Sequence, residues 1–232
     1  MSIGKPIIAV IPVKETSERV NNKNFRIFAD NYSLLELKII QLIDSCAFDK
    51  IYVSSDSERA REIAELHGVH FIRRNQEFCN NQVPWSDVIV EVVSSLPVDN
   101  ESSIAWCHTT SPLFDRYKEA CEFYRNLGSQ YDSIVAVRKF SEFLVTDKGR
   151  PYNYNWGVWH EYSQNLQELY SVTGAIFITK KWRILENRYV ISRNPSFFVS
   201  SPFESVDVDT EYDFCLAQML YLNRNKFSQL VG

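Results

Sequence analysis

The chain has 232 residues, with 25 lysines and arginines against 29 aspartates and glutamates, a net charge of −4. Its 45% hydrophobic and 23% charged content is that of a globular protein and excludes disordered and fibrous classes. The faintly acidic balance argues against a nucleic-acid partner or a membrane surface but leaves room for a local cationic pocket. With only 7 glycines, any loop that cradles phosphate must work with very little glycine. The five cysteines (Cys46, Cys79, Cys107, Cys121, Cys215) show no metal-ligand spacing, which argues against zinc and for a reducing, cytoplasmic setting. The apolar run near the N-terminus is too short for a signal peptide, and no stretch approaches about 18 apolar residues.

In chain order, Ile7 to Val13 is a continuous β-branched run, as in a strand buried on both faces. A charge-rich loop follows, Lys14 to Arg26. Leu34, Leu35, Leu37, Ile39, Ile40, Leu42 and Ile43 then recur at helical spacing behind Ser33, which predicts a capped helix. Ile51 to Val53 predicts a strand, Ser57 to His67 a helix stopped by Gly68, and Val69 to Ile72 a short third strand. A helix from about Trp85 to Leu96, a strand from Ser103 to Cys107, a helix from Asp115 to Leu127 and a strand from Ser133 to Val137 continue the alternation. The pattern predicts an α/β fold, a mostly parallel sheet covered on both faces.

Between about residues 139 and 170 the rhythm breaks. Tyr152, Tyr154, Trp156, Trp159 and Tyr162 stand there among few aliphatic residues, which predicts a protruding arm or lid. Strands resume at Ala175 to Ile178 and Phe197 to Val199, and a last helix runs from near Thr210 to about Leu222. No repeat or linker divides the sequence, so residues 1–232 are expected to form one domain with the arm inserted.

Ligands of open α/β sheets bind beyond the carboxyl ends of the strands, and four stretches fall there. The first holds Lys14, Arg19, Lys23 and Arg26; its place after a buried strand favours a phosphate site over a solvated basic loop. Walker A and GxGxxG patterns are absent. The second is Val206-Asp207-Val208-Asp209. On a strand both carboxylates share a face, and two adjacent carboxylates repel unless a cation sits between them; oxygen ligands suit Mg²⁺. Thr210 with Asp213 also resembles a capping box, and the two readings coexist. The third is His108 to Pro112, where a lone histidine is more often structural than catalytic. The fourth, Arg73-Arg74, suits a base or phosphate contact or a surface pair.

These stretches resemble, in order, the motifs of the sugar-acid cytidylyltransferases, the acylneuraminate and 3-deoxy-octulosonate type of CMP-sugar synthetases. Pro12 to Asn24 resembles P-A-R-G-G-S-K-x-I/L-P-x-K-N without gaps, and Val53 to Asp56 resembles V-S-T-D. Arg74 to Asp87 follows the R-P-x-x-L-A-x-D stretch, Thr110 to Leu113 the T-S-P-L element, Thr173 to Ile178 N-G-A-I-Y-I, and Ser205 to Asp213 S-I-D-I-D-T-E-x-D. The resemblance implies a three-layer, Rossmann-like nucleotidyltransferase fold with a mixed, mostly parallel sheet and an inserted dimerisation or lid arm. It implies an Mg²⁺-dependent transfer of CMP from CTP to the hydroxyl of a sugar acid or related acceptor, with release of pyrophosphate. Lys14, Ser17, Arg19, Lys23, Asn24 and Arg74 would bind the nucleotide, and Asp207 and Asp209 the Mg²⁺. His108, Thr110, Gln167, Thr173 and Gly174 would meet the acceptor, and Lys23 and Asp209 would carry catalysis. A homodimer paired through the arm is implied as well.

The departures sit at particular ends of the site. Glu15-Thr16 replaces Gly-Gly, Glu18 a lysine, His108 a glutamine, and Asn81 an aspartate. Val83, Pro84 and Trp85 replace small residues near the base, Phe114 and Ser171 replace arginines, and Thr173 an asparagine. The metal end is intact while the base and sugar ends have drifted, which suggests an unusual acceptor. Two alternatives stand beside this reading: a non-catalytic homologue that binds a nucleotide or sugar, and a GT-A glycosyltransferase using Asp207-Val208-Asp209 as its DxD motif.

Overall fold

Alternate residues of the first strand feed two different cores, and this places the sheet between two helical layers. The computed structural model describes residues 5–17, 19–80 and 82–227; Glu18 and Asn81, two of the departures noted above, lie outside the described residues. The elements are β1 (Ile7–Pro12), β2 (Ile27–Ala29), β3 (Tyr32–Ser33), α1 (Leu34–Asp44), β4 (Lys50–Ser55), α2 (Glu58–Leu66), β5 (His70–Arg73) and α3 (Trp85–Ser94). There follow β6 (Ser103–Trp106), α4 (Tyr117–Arg125), β7 (Ser133–Phe140), β8 (Leu169–Lys180), α5 (Lys181–Asn187), β9 (Pro195–Val199), α6 (Glu211–Leu222) and α7 (Arg224–Phe227). A seven-stranded sheet has the order β5-β4-β1-β6-β8-β7-β9. β1 runs parallel to β4 and β6, β4 to β5, and β7 to β9, while β8 is antiparallel to both β6 and β7. The expected mixed, mostly parallel, three-layer sheet is what forms.

Ile7, Ala9 and Ile11 pack against Leu35 and Ile39 of α1, Ala60 and Ala64 of α2, and Ala120 of α4. Ile8 and Val10 face the other way, onto Val88, Ile89 and Val92 of α3 and Ile184 of α5. A third cluster lies on the outer side of α1, where Leu34 and Leu37 meet Val20, Phe28, Val208, Phe214 and Ala217. It fixes α6 and the segment before it, so the aspartate pair comes from the α1 side of the sheet and Trp85 from the α3 side.

Local chemistry sets the helix ends. Ser33 accepts from the Glu36 amide while Glu36 returns a bond to the Ser33 amide, the expected cap of α1 made reciprocal. Gly68 ends α2 with φ +70, a conformation that favours glycine.

Two expectations are corrected. The strand expected at Ala175 to Ile178 runs from Leu169 to Lys180, because β7 continues to Phe140 and pairs residues 137–140 with 169–172 beyond a bulge. The arm is therefore the connection between two antiparallel neighbours, residues 141–168, none of which is buried. It orders itself: Phe143 lies 4.9 Å from Tyr154 and 5.0 Å from His160, ring to ring, and the Asn153 amide donates to the Glu142 carbonyl. The second correction concerns Val206 to Asp209, which is extended but not a strand. The amides of Asp209 and Thr210 both donate to Asp213 Oδ2, so the cap of α6 takes the donors a sheet would use.

The reciprocal cap of α1 gives a stability prediction. Ser33→Ala should lower unfolding free energy by about 1 kcal/mol, read as a lower urea midpoint at unchanged slope; an unchanged midpoint would show that α1 is held by packing alone.

Candidate active site

A cavity of about 440 Å³ opens over the carboxyl ends of β1 and β6. The loop after β1 brings Lys14, Ser17, Arg19, Lys23 and Asn24 to it, and the loop after β5 brings Arg74. Trp85 enters from the start of α3, His108 and Thr110 from the loop after β6, and Asp207 and Asp209 from the segment before α6. Sequence-distant stretches thus meet at one place.

Hydrogen bonds stitch these loops together. The Val208 amide donates to the Thr110 carbonyl at 2.8 Å, and Lys23 Nζ donates to the Val208 carbonyl at 2.9 Å. The Thr110 hydroxyl bonds Asp207. Thr109 Oγ1 donates to Asn24 Oδ1 at 2.8 Å, and Asn24 Nδ2 to the Lys14 carbonyl at 3.4 Å. Asn24 therefore spends its side chain on joining two loops. The basic loop also answers the shortage of glycine: Asn22 takes φ 51, and its carbonyl accepts from the amides of both Phe25 and Arg26. A short amide side chain tolerates that left-handed conformation.

Opposite charges are concentrated at one end. Arg19 Nη2 lies 2.8 Å from Asp209 Oδ1, and Lys23 Nζ lies 3.9 Å from the same oxygen. Burial lowers the Lys23 pKa from its usual value, against the pull of Asp209 and Asp207. The Asp207 carboxyl is pushed up, chiefly by desolvation, with Asp209 adding repulsion and the Thr110 hydrogen bond opposing it. Asp207 is exposed at the cavity rim, so this desolvation reflects protein crowded around a carboxyl that still reaches solvent. Val208 is buried while its two neighbours line the cavity, so the two carboxylates share a side as expected, without a strand.

Among the described residues no group of three or more His, Cys, Asp or Glu side chains forms a metal site. Two carboxylates are nevertheless a fitting donor set for Mg²⁺, which takes one or two carboxylates and completes its shell with water and substrate phosphate.

The two arginines of the fourth stretch part company. Arg73 is exposed and pairs with Glu58, whereas Arg74 is buried. Arg74 Nη2 donates to the carbonyls of Val13 and, at 2.7 Å, Ser54, tying the ends of β1 and β4 together. Its Nε is buried without a protein partner.

His108 takes the structural role. Trp106 Nε1 donates to His108 Nε2 at 2.8 Å, so the proton sits on Nδ1. A Cβ at Gly174 would come within 2.7 Å of that Nδ1, so glycine there lets β8 pack against the ring. Burial pushes the imidazole pKa down to about 4, with the charges of Lys38 and Lys23 adding to the effect. Thr173 is buried in β8 and bonds the Ala136 carbonyl at 3.2 Å. Gln167 lies at the root of the arm, in a separate hollow of about 400 Å³ with Lys139, Ser141 and Glu168. The cavity thus gathers the residues expected to meet nucleotide and metal with His108 and Thr110, while Gly174 backs His108 and Gln167 and Thr173 stand elsewhere. The sequence reading missed Thr109 as the partner of Asn24, and a fully buried lysine, Lys38, behind the loop.

A family described as cytidylyltransferase matches residues 8–197. N-acylneuraminate cytidylyltransferase of Escherichia coli is 28% identical over 95% of this chain and 53% of its own length. That of Streptococcus agalactiae is 33% identical over 90% of this chain and 52% of its own. The chain therefore spans about half the length of these relatives. Pseudaminic acid cytidylyltransferase of Campylobacter jejuni is 24% identical over 92% of this chain and 95% of its own length. Among solved structures, a CMP:2-keto-3-deoxy-manno-octonic acid synthetase complexed with CTP superposes with TM-score 0.68 at 12% identity, covering 94% of this chain and 99% of that one. At that identity the likeness is one of fold.

The His108 geometry gives a prediction for NMR. Its ¹⁵N signals should show an unprotonated Nε2 and no titration down to pH 5. A midpoint near the usual value of about 6.5 would mean that the Trp106 bond does not hold the ring neutral.

Proposed function

Since the chain belongs to the cytidylyltransferase family, we propose that it transfers CMP from CTP to the hydroxyl of a sugar acid or related acceptor. One observation carries this reading: the carboxylates of Asp207 and Asp209 share a single cavity with Lys14, Arg19 and Lys23, beside the buried Arg74. That arrangement suits a polyanion bound together with a hard cation. The acceptor oxygen attacks the α-phosphorus, a new phosphorus–oxygen bond forms, and the bond to the bridging oxygen breaks as pyrophosphate leaves. The acceptor's proton passes to water.

Most of the catalysis is positioning and charge neutralisation. Lys23 is held by the Val208 carbonyl beside Asp209, where its ammonium meets charge growing on the leaving group. Lys14, Ser17 and Arg19 bind the triphosphate, and Asn24 keeps the loop that carries them in register with Thr109. Asp207 and Asp209 would hold Mg²⁺, which supplies Lewis-acid stabilisation of phosphate oxygens when bound. Arg19, which pairs with Asp209, would give up that oxygen to the ion and meet the triphosphate instead. Thr110 fixes Asp207, and His108, backed by Gly174, bounds the acceptor side as a neutral wall.

The test is pyrophosphate release on incubation with each NTP, Mg²⁺ and a panel of sugar acids. CTP with one acceptor should give turnover, and Asp209→Asn should lower it by about 10²-fold or more with the fold intact. Binding of CTP without pyrophosphate release by the wild type would favour the non-catalytic homologue. Unchanged release by Asp209→Asn at saturating Mg²⁺ would overturn the metal assignment.

The arm belongs to the same proposal. Trp159 is 73% exposed and Tyr162 76%, on a segment ordered by its own ring contacts. Aromatic patches of this kind are common at interfaces, and a second copy of this chain is the occupant we assign, forming a homodimer. The free thiols suit a reducing, cytoplasmic setting. Light scattering at micromolar concentration should give twice the chain mass, and Trp156→Ala with Trp159→Ala should shift it towards monomer. A monomer mass for the wild type would end the dimer reading.

A further inference from the structure

Lys38 lies in the middle of α1 with no solvent exposure at all. Its Nζ donates to the Ser111 carbonyl at 2.9 Å and to the Tyr117 hydroxyl, and sits 4.9 Å from the centre of the Tyr117 ring. One helical step on, Gln41 Nε2 donates to the Pro112 carbonyl at 2.7 Å. Two consecutive carbonyls of the loop after β6 are thus gripped from behind by one helix. On its front, the same loop presents the Thr110 carbonyl to the Val208 amide and the Thr110 hydroxyl to Asp207. At its N-terminal end, α1 also reaches the basic loop, since the Leu35 amide donates to the Asn24 carbonyl at 3.1 Å.

We propose that Lys38 is a positioning residue: its buried amine holds the 108–112 loop in the register that aligns Asp207 with Asp209. The proposal rests on the reading of that pair as metal ligands. An amine buried this deeply is costly unless its protons are used, and methionine or leucine would fill the same volume without that cost. It donates to two acceptors here, and one belongs to the loop that carries Thr110. Burial lowers the Lys38 pKa to about 7, with Cys107 and Asp115 pulling the other way. Whether charged or neutral, the nitrogen keeps two N–H groups for its two partners, so the grip does not depend on the proton it loses near neutral pH.

The experiment compares wild type with Lys38→Met, a substitution close in volume. In the presence of CTP, the Mn²⁺ dissociation constant should rise about tenfold, while CTP affinity without metal stays within about twofold. Hydrogen exchange supplies a readout free of metal. The Val208 amide should exchange at least about tenfold faster in Lys38→Met, with the amides of β1 unchanged. A folded Lys38→Met protein with wild-type Val208 exchange overturns the proposal, as does acceleration of all amides alike. Should Lys38→Met fail to fold, Tyr117→Phe removes one of the two anchors and should give a smaller change in the same direction; no change at Val208 there overturns the proposal equally. Absence of Mn²⁺ binding by the wild type sinks the metal reading instead, leaving the exchange result to decide the role of Lys38.

Discussion

The hydrogen bond from the Val208 amide to the Thr110 carbonyl is the joint on which the site depends. Asp207 and Asp209 lie in a segment with no sheet ladder to set their register. Two carboxylates brought together repel, so their approach must be enforced by neighbours that do not move. Val208, buried between them against Phe28 and Phe214, supplies the apolar anchor, and its amide supplies the registration. Lys23 then completes the clamp from the opposite loop by taking the Val208 carbonyl. One residue, flanked by the two acids, is thus bound through its side chain, its amide and its carbonyl to three separate parts of the fold. Geometry of this kind fixes charge before any ligand arrives, which is what electrostatic preorganisation requires.

What was legible in the sequence follows the range of the interaction that decides it. The caps at Ser33 and Thr210 are local, and their residue types alone announce them. The buried strands read correctly because β-branched runs need no partner to be recognised. The extension of β8 to Leu169 was not legible: Tyr170 and Ser171 are extended only because Lys139 and Arg138 lie beside them. Asp207 and Asp209 were read as strand residues and are not, yet the inference that they share a side survives. Any extended segment alternates its side chains, with or without a ladder.

Some features escaped because polar residues in a helix are read by default as solvent-facing. Lys38 interrupts an apolar stripe, and only the loop after β6, whose carbonyls it meets, explains its burial. The role of His108 was nearer the surface of the sequence. Trp106 lies two residues earlier, hence on the same side of an extended chain, and a buried indole needs an acceptor. The Arg73-Arg74 pair could not be divided by type. Position along the strand end sends one side chain to solvent and the other beneath the Val13 carbonyl.

The same architecture separates two regions that differ in how tightly their side chains are coupled. The bonds around Val208, Thr110, Asn24 and Lys23 link three loops, so a change at any of these bonds disturbs the rest. The arm is different. Its contacts, such as Asn153 with Glu142 and Lys139 with Glu168, stay within the arm and its root. The hollow that holds Gln167 is lined from that root and shares no residue with the cavity of the paired aspartates. Energetic coupling is weak between groups that share no partner. The root of the arm is therefore free to change its side chains without loosening the cavity of the paired aspartates, whereas a change at a bonded residue around Val208 disturbs its partners.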